Sequence, residues 1–381
     1  MKVLILSSAT GGGHNAAGAA VQEALLNAGH EAVMMDMFLL SSARTARLVG
    51  QTYVRIARGV PRLFGMLYRL GGFISSSRRK SPVYYANGLM AKKLHDYLEQ
   101  NPCDAIVMPH LFPAETITYM KRHDMALPLT VAVATDYTCI PFWEETECDY
   151  YIIPHGDLTE EYTRRKMSAD RLLPYGIPVK EAFRPKTDKA LAKESLGLPP
   201  DKPMYLVMSG SMGFGKIHIF AYELVRSLKN GEHVVIICGN NKKLKRQLKR
   251  IFFHAPNVHV IGYTNNVADY MAACDVIYTK PGGLTTTEAL NSNVPIVHTA
   301  PIPGCETKNR EFFVSRGMSI AAEHIHTQIK QGRLLVENKE IRSGMQSAQK
   351  QNVIPDSAKK ICEFLDLQTA KAKEEKTLSQ K

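Results

Sequence analysis

A chain of 381 residues that is 45% hydrophobic and 22% charged is long enough for two ordinary domains with full cores, which excludes a disordered or fibrous protein. Seven cysteines, odd in number and without a C-x-x-C pair, indicate neither a disulfide framework nor a zinc site, and they fit a reducing cytoplasm. The apolar run Val3 to Leu6 is too short for a signal peptide, no stretch approaches the roughly 18 apolar residues of a spanning helix, and the formal charge of +12 matters chiefly through its placement.

Val3 to Ser8 has the composition of a buried parallel strand, followed by the loop Ala9 to His14 and an alanine-rich helix from Ala16 to Asn27 closed by Gly29. Gly11, Gly12 and Gly13 are contiguous and Gly18 comes too late for G-x-G-x-x-G, so this is not a nicotinamide dinucleotide fingerprint. His14, at the helix mouth, either faces a ligand or caps the helix. After a second strand at Ala32 to Asp36 comes an acid-free window that ends at Asp96 and holds eleven Lys or Arg. Arg55, Arg58 and Arg62 fall at helical spacing on one face, and with Arg69, Arg78, Arg79 and Lys80 they form a basic, apolar-interleaved surface suited to anionic lipid. Nucleic acid is the rival partner, and a merely solvated face the plain alternative.

Strands at Asp104 to Met108, Leu129 to Ala134 and Asp149 to Ile153, separated mostly by helical segments, predict a parallel α/β sheet. Ligands collect beyond the carboxyl ends of such strands, where His14, His110, Asp136 and His155 all fall. Trp143 is packing or an acceptor wall. A glycine and two prolines between Tyr175 and Pro185 mark a domain boundary and hinge. A second sheet is predicted from Met204 to Met208, Val234 to Cys238, Val258 to Ile261, Asp275 to Tyr278 and Pro295 to His298. Its first loop, Gly210 to Lys216 with Gly213 inside it, fits G-x-x-x-x-G-K but puts Ile217 where a P-loop needs Ser or Thr, which argues against an ATPase. Lys242 to Arg250 is a basic helical stretch, most simply a solvated surface helix.

The stretch Thr279 to Leu290 is a buried strand ending in a glycine turn that opens onto a helix. Pro281 stops the ladder, Gly282 and Gly283 remove the Cβ atoms that would hold a phosphate off the backbone, and the helix N-terminus faces the ligand. Glu288, about one and a half turns in, is placed to accept hydrogen bonds from sugar hydroxyls. The ordinary alternative is that Thr285-x-x-Glu288 is a capping box. The expected division is an acceptor and membrane-binding domain at 1–178, a nucleotide-sugar domain at 179–345, a helix at 346–367 packing back on the first domain, and a disordered tail at 368–381.

In combination, Thr10 to His14, Ala134-Thr-Asp-Tyr137, Tyr175-Gly-Ile-Pro178, Gly262-Tyr263, the Pro-Gly-Gly segment and Pro301 to Asn309 resemble the monogalactosyldiacylglycerol synthase and processive diacylglycerol glucosyltransferase group of glycosyltransferase family 28. The resemblance covers nearly the whole chain. It implies two Rossmann-like α/β domains facing across a cleft (GT-B), a UDP-hexose donor and inversion at the anomeric carbon. By position it implies that backbone at Gly262 and Tyr263 meets the uracil, and that Lys280, Pro281, Gly282, Gly283, Leu284 and Thr285 surround the diphosphate. Glu288 would take the ribose, and Glu306 and Asn309 the hexose, with Gly213 also on the donor side. Gly12, Gly13 and His14 would face the reacting centre, with Asp136 nearby. Cys305 stands where a processive bacterial relative has Gln, so the donor sugar and processivity stay open.

His14 is favoured as base, with Asp136 either orienting it or taking the proton itself. No Asp-x-Asp pair occurs, so no metal or other cofactor is expected and the helix N-terminus supplies the positive field. The expected activity transfers glucose or galactose from UDP-hexose to diacylglycerol, at the cytoplasmic face of the membrane as a peripheral protein. An undecaprenyl-linked acceptor is the alternative. A nucleic-acid-binding protein with a nucleotide-sugar sensor site is a distant one, and no nucleic-acid partner is expected.

Overall fold

A computed structural model of the chain describes residues 1–8, 12–42, 44, 48, 80–185, 188–208, 217–229 and 231–379. Arg55, Arg58, Arg62, Arg69, Arg78, Arg79 and Gly213, with the rest of the 210–216 loop, lie outside the described residues. The chain divides into two compact units, Met1–Lys180 with Ile354–Lys381, and Glu181–Val353.

The first unit runs β1 (Lys2–Ser7), α1 (Gly12–Asn27), β2 (Glu31–Asp36), α2 (Pro82–Gly88), α3 (Ala91–Gln100), β3 (Ala105–Met108), α4 (Leu111–Arg122), β4 (Leu129–Val133), β5 (Tyr150–Ile152), α5 (Thr159–Arg164) and β6 (Leu172–Leu173). Its strands pair in parallel in the order β2-β1-β3-β4-β5-β6. The chain starts in the middle of the sheet, moves outward to β2 and returns on the other side at β3. The strand order therefore reverses between β1 and β3, where a doubly wound sheet opens a crevice at its carboxyl edge. Val3, Ile5, Val107, Val131 and Val133 are buried with no exposed face, which is why these strands appear in the sequence as unbroken apolar runs. Helix α1 lies close on the sheet because its inner face is small. A Cβ on Gly18 would stand 3.0 Å from Met34 Cε and 3.2 Å from Ile5 Cγ2.

The second unit runs α6 (Lys189–Ser195), β7 (Met204–Met208), α7 (Ile217–Arg226), β8 (His233–Ile237), α8 (Lys242–Ile251), β9 (Val258–Ile261), α9 (Val267–Ala273), β10 (Val276–Thr279), α10 (Gly283–Asn291), β11 (Ile296–His298), α11 (Cys305–Ser315), β12 (Ile320–Ala321), α12 (Ile325–Glu337) and α13 (Lys339–Asn352). Its parallel sheet has the order β12-β11-β10-β7-β8-β9, so the reversal falls between β7 and β10. Tyr205 and Tyr278, stacked at 6.3 Å, form the centre of its core with Phe220, Val234 and Ile236.

The single helix expected from Gln346 to Leu367 is two. Helix α13 stops at Asn352, Pro355 breaks the ladder, Asp356 takes a positive φ of 56°, and α14 (Ser357–Ser379) begins afresh. Helix α14 rejoins the first unit, where Ile361, Cys362, Phe364 and Leu365 enter the core beside Val21 and Leu25. The tail expected to be disordered from residue 368 is helical to Ser379. Its Ala, Lys and Glu residues are strong helix formers, Thr369 is buried, and Lys373 pairs with Asp104 at 3.0 Å.

Lys80, expected among the membrane-facing cations, points inward instead. Its ammonium bonds to the carbonyl of Glu145 and pairs with Glu147 at 3.2 Å, and its side chain is 6% exposed. Ser81 caps α2 while giving its N–H (2.6 Å) and hydroxyl (2.5 Å) to the Glu145 carboxylate. A cation held by these partners is not available to a lipid surface. The paired acids lie about 65 positions downstream, beyond the reach of any local sequence pattern.

Candidate functional site

In the first unit the start of α1 and the turns after β3 and β4 meet near the sheet's reversal point. Gly12 and Gly13 open α1 and His14 follows them, so the imidazole stands in the first turn of that helix. Its Nδ1 lies 2.9 Å from the carbonyl of Pro109 and 2.9 Å from Thr135 Oγ1. A carbonyl only accepts, so Nδ1 carries the proton and donates it, which leaves the lone pair on Nε2. Burial lowers the His14 pKa, with Asp136 and the Pro109 carbonyl pulling it partly back. The ring is therefore neutral near pH 7 with a fixed tautomer, as a general base requires.

His110 packs edge-on against His14 at 4.4 Å between centroids. It caps α4 by accepting from Phe112 N–H at 3.1 Å, and burial, with His14 beside it, holds its pKa well below the usual histidine value. Asp136 is half-buried and acts on His14 through its field, while the atoms that orient the ring belong to Pro109 and Thr135. The sequence puts His14, His110 and Asp136 at strand ends; Pro109 carries no signal there beyond adjacency to His110, and Thr135 stands in the Ala134-Thr-Asp-Tyr137 segment with no role of its own. His155, grouped with them, caps a short turn by accepting from Asp157 N–H at 3.2 Å. Trp143 is buried edge-on to Tyr151 at 6.3 Å and is packing.

In the second unit β10 ends at Thr279, and Gly282 stands at the N-cap of α10 with φ −75° and ψ 139°. No described side chain caps this helix. Thr285 lies inside the first turn, so Thr285-x-x-Glu288 is not a capping box, and the leading amides at Gly283, Leu284 and Thr285 have no intrahelical acceptor. A Cβ on Gly282 would meet nothing closer than Lys280 Nζ at 3.7 Å and Glu306 Oε1 at 3.8 Å, so the turn opens onto space bounded by that ion pair. Lys280 pairs with Glu306, whose other oxygen accepts from Ile302 N–H at 2.8 Å. Asn309 is fully buried and gives its Nδ2 to the Pro281 carbonyl at 3.1 Å, holding the turn from beneath.

Glu288 is the anomaly of this half. It is 9% exposed, no described side chain or backbone group bonds to its carboxylate, and burial pushes its pKa up to about 8. A buried carboxyl without a partner is costly unless a ligand supplies one. Gly262 follows β9, and a Cβ there would stand 3.0 Å from Lys245 Nζ, so the ammonium of Lys245 reaches back over this turn from α8. The sequence placed Lys245 on a solvated helix, and only its partial burial separates it from its neighbours. The Tyr263 side chain is exposed.

Residues 14–179 match the monogalactosyldiacylglycerol (MGDG) synthase family, and residues 188–352 match glycosyl transferases group 1. The processive diacylglycerol beta-glucosyltransferase of Staphylococcus saprophyticus is 28% identical over 374 residues, covering 96% of this chain and 92% of that protein. MurG of Acinetobacter baumannii superposes with a TM-score of 0.62 at 15% identity, over 96% of this chain and 99% of its own. HepE of Anabaena, solved with UDP-glucose, gives 0.56 at 12% identity, over 98% and 100%. At such identities the two structures bear on the fold alone, which is the two-domain Rossmann-like α/β arrangement.

Proposed function

Because the chain belongs to the group of monogalactosyldiacylglycerol synthases and processive diacylglycerol glucosyltransferases, we propose that it transfers a hexose from UDP-hexose to the hydroxyl of diacylglycerol with inversion, yielding a β-glycosyl-diacylglycerol. The observation that carries this reading is the α10 terminus and, beside it, the buried carboxyl of Glu288, neither of which has a side-chain partner among the described residues. A diphosphate on the amides of Gly283 to Thr285 and a ribose diol on Glu288 would satisfy both deficits with one nucleotide.

The acceptor hydroxyl gives its proton to His14 Nε2, and its oxygen attacks the anomeric carbon on the face opposite the leaving group. The bond from that carbon to the β-phosphate oxygen breaks, and UDP departs with the electron pair. Lys280 and the positive end of α10 stabilise the charge that develops on the diphosphate. The imidazolium formed on His14 lies in the field of Asp136, which favours it. With the leaving group served this way, turnover is expected to survive chelation. Loss of activity on adding a chelator, with recovery on magnesium or manganese, would overturn that part.

The deciding experiment incubates the protein with radiolabelled UDP-glucose or UDP-galactose and diacylglycerol and resolves the lipid products. A labelled glycolipid from either donor is expected, and its absence with both ends the reading. We further propose that transfer takes place at the cytoplasmic face of a membrane, which the protein would reach peripherally. Among the described residues no helix is long and apolar enough to span one.

A further inference from the structure

Helix α8 packs on the second unit's core through Leu244 and Leu248, with Phe252 just beyond its end. The face away from that core carries Lys242, Arg246, Lys249 and Arg250, whose spacing puts them on one stripe. All four are exposed, and none makes an ion pair among the described residues. Several exposed cations elsewhere meet an acid, as in Arg164 with Glu160, Arg184 with Glu181, Lys229 with Glu337 and Lys308 with Glu311. Here no acid is at hand, because the sequence contains no Asp or Glu between Glu232 and Asp269. The stripe ends on Phe253, which is 79% exposed and touches only the edge of its neighbour His254, at 4.9 Å, among the aromatic rings. Ile251 beside it is also exposed.

A solubilising face mixes both signs and hides its large apolar side chains. This one does neither. We propose that the α8 stripe, with Phe253 and Ile251 at its end, is a docking surface for an anionic lipid bilayer. The cations sit on headgroup phosphates and the two apolar side chains enter the boundary between headgroups and acyl chains. Charge complementarity selects an anionic partner. The position of Phe253 and Ile251 at one end, without a row of aromatic platforms along the stripe, favours lipid over nucleic acid. The choice of a bilayer also rests on the proposed lipid acceptor. Composition repeats the device seen in the acid-free window before Asp96, but this second copy lies in the other unit.

The test is flotation of the full chain with vesicles of phosphatidylcholine alone or mixed with phosphatidylglycerol. The triple variant Lys242→Gln, Arg246→Gln, Lys249→Gln is compared with Phe253→Ala, and Lys245 is left intact. Binding to the anionic vesicles is expected to fall roughly a hundredfold in the triple variant, at about fivefold per cation, and about tenfold in Phe253→Ala. Melting temperature, UDP affinity and transfer onto detergent-dispersed short-chain diacylglycerol are expected to stay as in the parent chain, while transfer onto vesicle diacylglycerol falls. Undiminished flotation of the triple variant overturns the proposal, and so does tighter binding of the parent chain to duplex DNA than to anionic vesicles. Flotation lost with the cations in a protein that makes no glycolipid upholds this surface and ends the acceptor assignment instead.

Discussion

The two units use the same device, a strand that ends at the reversal point of a parallel sheet and turns through glycine into a helix, and they aim opposite chemistry at it. At the mouth of α1 stands a neutral imidazole whose proton position is set by Pro109 and Thr135. At the mouth of α10 stand a lysine and, without partners among the described residues, the leading amides and a buried acid. At the first mouth the His14 ring is already held in place by described groups of the chain, with Nε2 left open. The second is left incomplete among the described residues, which is what the proposed anion site requires if the anion supplies the missing half. Preorganisation therefore means different things for a base and for a donor pocket: fixed geometry in one, retained unmet demand in the other.

The largest break in the comparison is His14→Ala, expected to lower turnover by roughly 10²–10⁴-fold while UDP affinity, measured by calorimetry, stays level. In the parent chain the acid limb of the rate profile should have its midpoint below 6.5, because burial lowers the ring's pKa. Equal losses in turnover and UDP binding would merge the two roles. Next, Glu288→Ala should weaken UDP by about ten- to a hundredfold, the worth of hydrogen bonds to a charged group. Its protonation gives a sharper version. The free carboxyl holds its proton up to about pH 8, and ribose hydroxyls favour the ionised form, so binding releases a proton and affinity climbs with pH until about 8. Glu288→Gln should remove that rise, and calorimetry in buffers of different ionisation enthalpy counts the proton. If the variant keeps the slope, the titrating group is elsewhere.

Lys280→Met should weaken UDP about tenfold, and Glu306→Gln should strengthen it by a similar factor, because it frees the lysine from its partner. Losses in both variants would make the pair purely structural. The smallest effect falls outside the mouths. In Gly18→Ala, crowding against Met34 and Ile5 costs about 1–3 kcal/mol and helix propensity returns about 1. A net loss of about 1 kcal/mol in urea unfolding is expected, with turnover per folded molecule unchanged.

The central strands were legible because strands covered on both faces become apolar runs, and the glycine turns were legible because only glycine permits that backbone approach. The strands Leu172–Leu173 and Ile320–Ala321 were not, since two residues carry no period. The α14 extension was misjudged because a solvated helix and a disordered tail share the same polar composition, and helix propensity decides between them. Lys80 and the Pro109 and Thr135 contacts depend on partners far along the chain, which the fold alone brings near.

The second unit is one unbroken stretch of chain, whereas the first is closed by residues from both sides of it. A ribosome that has reached Val353 has joined every residue of the second unit. It has yet to add Ile361, Cys362, Phe364 and Leu365, which complete the core against which His14's helix rests. During synthesis the second unit's sequence is thus complete before the first unit's.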